Sequence, residues 1–331
     1  MFDYSKLKGD ETLRYAFFHL TAYIQQSGTI TSATVPAPVL ASGLARLKSR
    51  GIATVDEPLA LVGLAQWLYS SGQLKNATAV RWITNLLQQT ASFSDALLGE
   101  RVNCEVAASL YLTTVFDGKT PLSDVLEFVG RDPPAWATKP VSLVGLTKTA
   151  GGYTYRTIPS LSQRHRWTGR ISRSADGYAD ASSWLSEPEG ESICFIKTSQ
   201  IVVVLALLEL FDRRRVWLAL EFLDSVEEDV DVMRRLSPAA LKVSSELLAE
   251  TSGRATEDLC VLRVVATRGD VSSLHLNAAS DPDISSHPFA IMSLSDSSVE
   301  ETFRKTGGVH HLVPSPNEIQ RVMFSVPFGF A

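Results

Sequence analysis

Apolar positions along the chain change period twice. Leu13, Ala16, Phe17 and Leu20 recur at helical spacing and predict a helix over 9–27. After the Thr/Pro-rich loop "GTITSATVPAPV", the stretch "VLASGLARLKSRGIATVDEP" predicts a helix, a stop at Gly51 and a short strand, an order common in small winged-helix-like modules. "EPLALVGLAQWLYSSG" has Pro58 near a first turn and predicts another helix, with a further one at about 77–90. In "SDALLGERVNCEVAASLYLTTVFDG", at 94–118, Val102, Val106, Leu110 and Thr113 or Thr114 fall near one helical face, with Glu105 at its edge. "TPLSDVLEFVG" predicts a second short helix capped by Ser123 or Thr120.

Beyond the proline-broken loop "GRDPPAWATKP" the period shortens. "VSLVGLTKTAGGYTYRTIP" predicts strand, Gly-Gly turn and strand. "ADASSWLSEPEGESICFIKT", at 179–198, predicts two more strands around a polar turn. Helices are expected at about 199–212, 215–236 and 238–252, then a strand at 259–268, a buried strand "PFAIMSL" and a helix "DSSVEETFRKT". The fold class expected is α/β: a helical N-terminal region, 1–92, followed by a mixed-sheet domain, 93–331, flanked by helices.

Hydrophobic residues make up 45% and charged residues 20%, a globular balance, so a packed core is expected. The net charge of -5 restricts any nucleic-acid contact to a local basic patch. Cys104, Cys194 and Cys260 are far apart and form no CxxC pair, which suits a reducing compartment and gives no zinc framework. No signal-peptide pattern opens the chain, and the apolar run 201–211 is about half the length that spans a bilayer. The expectation is an intracellular protein, cytoplasmic or nuclear, with no membrane partner. The sequence has no GxxxxGK[ST], no GxGxxG after a strand and no GxSxG; His310–His311 lacks an HExxH context.

One constellation carries chemistry. Asp180 opens the first strand of the 179–198 hairpin and Lys197 closes the second, while the 94–118 helix offers Glu105, with Glu100 earlier on it. Carboxylates on adjacent strands and a packed helix can hold a divalent ion that activates water at a phosphodiester, and a lysine can assist that water or the developing charge. This order of elements resembles the PD-(D/E)xK restriction-endonuclease-like superfamily. "VDEPLALVGLAQWL", "GERVNCEVAASLYLTTVF", "YADASSWL", "ICFIKTSQ", "CVLRVVATRGD" and "PFAIMSLSDSSVEETF" resemble, in order, segments of Crinkler/RHS-type proteins that carry such a domain. The resemblance covers roughly 50–305 and implies Mg²⁺ held by Asp180 and Glu105, Lys197 as catalytic partner, and DNA as substrate.

The sequence departs from that pattern. The family's P-loop ATPase module has no counterpart, Ala179 stands for the proline of the "PD" pair, and Phe195 stands where a ligand precedes the lysine. Glu187, Glu189, Glu191 or Glu209 are the carboxylates available to fill that gap. Two readings follow: a metal-dependent nuclease, or a catalytically inactive interaction module that keeps the fold and binds nucleic acid or another protein. Arg164, Arg166, Trp167, Arg170 and Arg173, with His165 among them, form the candidate nucleic-acid segment, because arginines pair phosphates and tryptophan stacks on bases.

Overall fold

The structure is a computed structural model that describes residues 3–26, 31–32, 38–39, 46–47, 53–54, 64, 66–68, 70–71, 76–90, 98–158, 171–198, 201–223, 231–268 and 283–305. They form an α/β protein in which a mixed sheet carries helices on both faces.

Helices described in full on the N-terminal side lead in. Helix α1 (Asp10–Gln26) opens on Asp10 and Glu11, which suit the positive end of its dipole. Trp82 Nε1 donates to the Asp10 carboxylate at 3.0 Å and ties α1 to α2 (Asn76–Gln89). Helix α3 (Leu98–Val115) is buried along most of its described length, and its buried Thr113 and Thr114 hydroxyls donate to the Ser109 and Leu110 carbonyls. Phe17, Ile83 and Val106, one from each helix, join the same apolar core as the sheet. A small sheet of β1 (Thr31–Ser32), β2 (Arg46–Leu47) and β3 (Ala53–Thr54) runs in the order β1-β3-β2. Arg46–Leu47 is strand where a helix was expected; most of the winged-helix-like segment lies outside the described residues.

The expected helix at 120–130 is instead β4 (Asp117–Pro121), a 3-10 turn and β5 (Glu127–Phe128). Pro121 stays extended, at φ -61 and ψ 145, and the helical turn that follows covers only Leu122–Asp124. Strands β6 (Pro140–Thr149) and β7 (Gly152–Thr157) pair antiparallel across the Gly151–Gly152 turn, as their pattern predicts.

After β8 (Ser172–Ala175), the residues read as the first hairpin strand form helix α4 (Tyr178–Ser186). Ala181, Trp184 and Leu185 sit at helical spacing on its buried side, and the Ser182, Ser183 and Ser186 hydroxyls donate to carbonyls one turn back. Strand β9 (Ile193–Lys197) follows.

The helices expected at 199–212 and 215–236 are largely strands, β10 (Val202–Glu209) and β11 (Arg215–Leu223). Both are covered on both faces, so they read as continuous apolar runs and not as an alternation. Short helices α5 (Asp231–Arg235) and α6 (Ser245–Ser252) lead to β12 (Val261–Thr267), β13 (Phe289–Ser293) and α7 (Asp296–Lys305). Helix α6 starts on the Ser244 hydroxyl, which accepts from Leu247 N, and stops at Gly253 in the left-handed region.

Ten strands form the sheet, along the path β4-β6-β10-β11-β12-β13-β5, with β9 on β10, β8 on β9 and β7 on β6. Strands β8, β9, β11, β12 and β13 share one direction, because β9 and β11 are each antiparallel to β10 while the other pairs are parallel. One face (Phe195, Val204, Leu218, Val264) packs on α1, α2, α3 and α7. The other (Cys194, Val203, Trp217, Val265) packs on α4, α5 and α6.

Candidate functional site

Lys197 ends β9 on the face of Ile193 and Phe195, the face that α3 covers. Its Nζ lies 3.0 Å from Oε1 of Glu105, a close ion pair. Lys197 keeps 18% of its side chain exposed and Glu105 6%, so the pair sits just inside the edge where β9, β11, β12 and β13 end. One turn further along α3, the buried Ser109 hydroxyl lacks a hydrogen-bond partner among the described residues. Two of the three residues singled out in the sequence are therefore together.

The third is not with them. Asp180 lies in the first turn of α4 and not on a strand. Its Oδ1 is 3.4 Å from Arg173 Nη2, and its Oδ2 accepts from Asp176 N at 3.1 Å. Arg173 stands opposite Cys194 in the parallel β8–β9 ladder, on the α4 face. The sheet thus separates Asp180 from Glu105 and Lys197.

The position two residues before Lys197 is fully closed: Phe195 has no exposed surface and belongs to the α3-side core. The substitute carboxylates sit elsewhere. Glu191 precedes β9 and Glu209 ends β10, both at the edge opposite Lys197. Glu191 accepts from Glu189 N at 3.1 Å, and Glu209 pairs with Arg213 and Arg215. The side chain of Glu100 lies outside the described residues. Among the described residues no group of three His, Cys, Asp or Glu side chains could hold a metal ion. Mg²⁺ takes oxygen donors in a near-octahedral set, and one carboxylate already matched by a lysine does not fit it.

Arg164, Arg166, Trp167 and Arg170 lie outside the described residues, as do His310 and His311. Arg173 lies inside and is engaged by Asp180.

A second charge pair, buried on its acidic side, occupies the opposite face. Glu221, 1% exposed two residues before the end of β11, meets Arg235 of α5 with Nη2 at 3.0 Å from Oε1. The Tyr178 hydroxyl beside them is pushed up by burial and further by Glu221, against Arg235. Arg263, with no exposed surface, donates to the His287 carbonyl at 2.6 and 2.9 Å and to the Met233 carbonyl at 3.1 Å. His287 Nδ1 accepts from Val261 N, so this histidine serves the scaffold. The signal for these groups was a lone charge inside an apolar run, as in "WLALEFL" and "VLRVV". Burial pushes the Cys194 thiol well above the usual range.

No family model, curated protein or solved structure matches this chain. No helix among the described residues is long and apolar enough to cross a membrane.

Proposed function

We propose that this chain is a nuclease-derived protein of the Crinkler/RHS type that binds nucleic acid without hydrolysing it, inside the cell. The observation that carries this reading is the closed Glu105–Lys197 pair, with Phe195 packed where a ligand is needed and Asp180 on the other face. A lysine that assists an attacking water must aim its donors at that water, and here Nζ is aimed at Glu105. A carboxylate neutralised by an ammonium group is a poor ligand for a dication. The same pair is well suited to a different task, pinning α3 to the end of β9.

Binding is assigned to the basic segment 164–173, whose arginines and Trp167 can meet phosphates and a base. Supercoiled plasmid incubated with the protein and Mg²⁺ or Mn²⁺ is expected to stay supercoiled while shifting in a native gel. Replacing Arg164, Arg166 and Arg170 by glutamate is expected to abolish the shift. Nicking by the wild type that disappears in Lys197→Met would overturn the reading.

A further inference from the structure

The turn between β10 and β11 closes with Leu210 N donating to Arg214 O at 2.8 Å and Arg213 N donating to Leu210 O at 3.0 Å. Asp212 suits the turn, its Oδ1 accepting from Arg214 N at 3.1 Å, but two other features do not. Arg213 sits at φ 70, a region that favours glycine or asparagine. Phe211 is 77% exposed, and among the described residues it is the large apolar side chain left in water. Backbone in a sparsely used region beside an exposed aromatic marks a segment shaped by something other than folding.

Two exposed cations follow Phe211 in the turn. Arg213 is 82% exposed and held by Glu209 at 2.7 Å; Arg214 is 56% exposed and held by Asp212 at 2.6 Å. The Arg214 guanidinium keeps the Asp212 carboxyl below the usual carboxylate range. The strip continues along the α4–α6 face. Glu209 also meets Arg215, whose guanidinium lies 3.3 Å from the centroid of Tyr155. Two residues along β7, Tyr153 carries Lys148 4.8 Å above its ring. Arg215 and Lys148 thus each stack on a tyrosine ring, and the exposed Phe211, Arg213 and Arg214 stand in the adjoining turn. Acids accompany them: Glu209 is only 11% exposed, Asp212 is exposed, and the exposed Glu187 and Glu250 act on Lys148.

We propose that this hairpin tip is a contact for single-stranded nucleic acid: a base stacks on Phe211, and Arg213 and Arg214 meet the flanking phosphates. The contact rests on the nucleic-acid reading above and adds a second surface, distinct from segment 164–173. Stacking platforms interleaved with cations are how sequence-tolerant single-strand binders work. A guanidinium has five N–H donors, so an ion pair with one carboxylate leaves donors for a phosphate oxygen. A membrane is the weaker match, because one phenylalanine gives too little apolar area to anchor a protein stably.

The test is fluorescence anisotropy of a fluorescein-labelled oligothymidine strand with the full chain. Phe211→Ala is expected to weaken binding about tenfold, within the stacking contribution of a single base. Phe211→Trp is expected to retain wild-type affinity. Arg213→Ala with Arg214→Ala is expected to flatten the slope of log affinity against log salt by about 1.4. An unchanged melting temperature in each variant, read by circular dichroism, assigns the loss to contact. Wild-type affinity in Phe211→Ala overturns the tip contact, and so does Phe211-dependent binding to phosphatidylserine vesicles without oligothymidine binding. If affinity depends only on Arg164, Arg166 and Arg170, the tip contact falls and the broader reading stands. If the wild type binds neither strand nor duplex, both fall.

Discussion

Glu105 and Lys197 meet because two different periodicities place them. Lys197 shares the β9 face with Phe195, and Glu105 lies on the α3 flank that crosses the end of that strand. Removing one partner leaves the other charge poorly solvated. Lys197→Met and Glu105→Gln are each expected to lower stability in urea unfolding by about 3 kcal/mol, the low end for buried pairs because Lys197 retains some exposure. The double variant should lose less than the sum of the two. Single variants that lose nothing would show that the pair is not held in solution. Phe195 permits a sharper prediction. Phe195→Glu, which restores the chemistry expected before the lysine, puts a carboxylate into an apolar core. It is expected to cost at least about 3 kcal/mol, read as a fall in melting temperature, and to yield no plasmid nicking with Mg²⁺. The resemblance implied Glu105 and Lys197 around a metal ion with Asp180; that the two pair directly with each other was not legible. Neither was the placement of Asp180, because "ADASSWL" supports both an alternating strand and a helix with Ala181, Trp184 and Leu185 inward.

At the scale of elements, amphipathic helices and the β6–β7 hairpin could be read because one side of each meets water or a loop. Strands β10 and β11 could not. "IVVVLALLELF" buries both faces, so neither period appears, and only the three β-branched valines at 202–204 hinted at strand. The helix expected at 120–130 shrinks to a single 3-10 turn at Leu122–Asp124 between two strands, because Pro121 and Glu127–Phe128 join the sheet instead. Packing between α3 and α7 yields a pH prediction. Tyr111 of α3 lies against Phe303 of α7 with ring centroids 6.2 Å apart, and burial pushes its hydroxyl up to about 12, partly opposed by a hydrogen bond with Thr302. The native state holds this phenol neutral where the unfolded chain ionises near its ordinary value of 10.0. Its contribution is complete below about pH 10 and is lost between there and about pH 12, at up to about 1.4 kcal/mol per pH unit. Tyr111→Phe is expected to flatten that part of the stability curve, measured by urea unfolding from pH 9 upward. An identical fall in the variant would remove Tyr111 as a source.

For the whole molecule, two charge pairs on opposite faces bracket one sheet. Glu105–Lys197 pins α3, and Glu221–Arg235 pins α5. The α/β class and the flanking helices were legible from the alternation of periods. The separation of Asp180 from Lys197 was not, because which face a helix covers depends on the handedness and length of connections that local pattern does not encode. The buried Glu105–Lys197 pair and the exposed Phe211, Arg213 and Arg214 are what support the proposal that the chain holds a strand without cutting it. The most direct measurement follows labelled oligothymidine with the protein in Mg²⁺ and in EDTA, reading anisotropy and then running the same samples on a denaturing gel. The account predicts equal binding in both and intact strands throughout. Shortened strands in Mg²⁺ that are absent in EDTA and absent with Lys197→Met, or no binding in either, would contradict it.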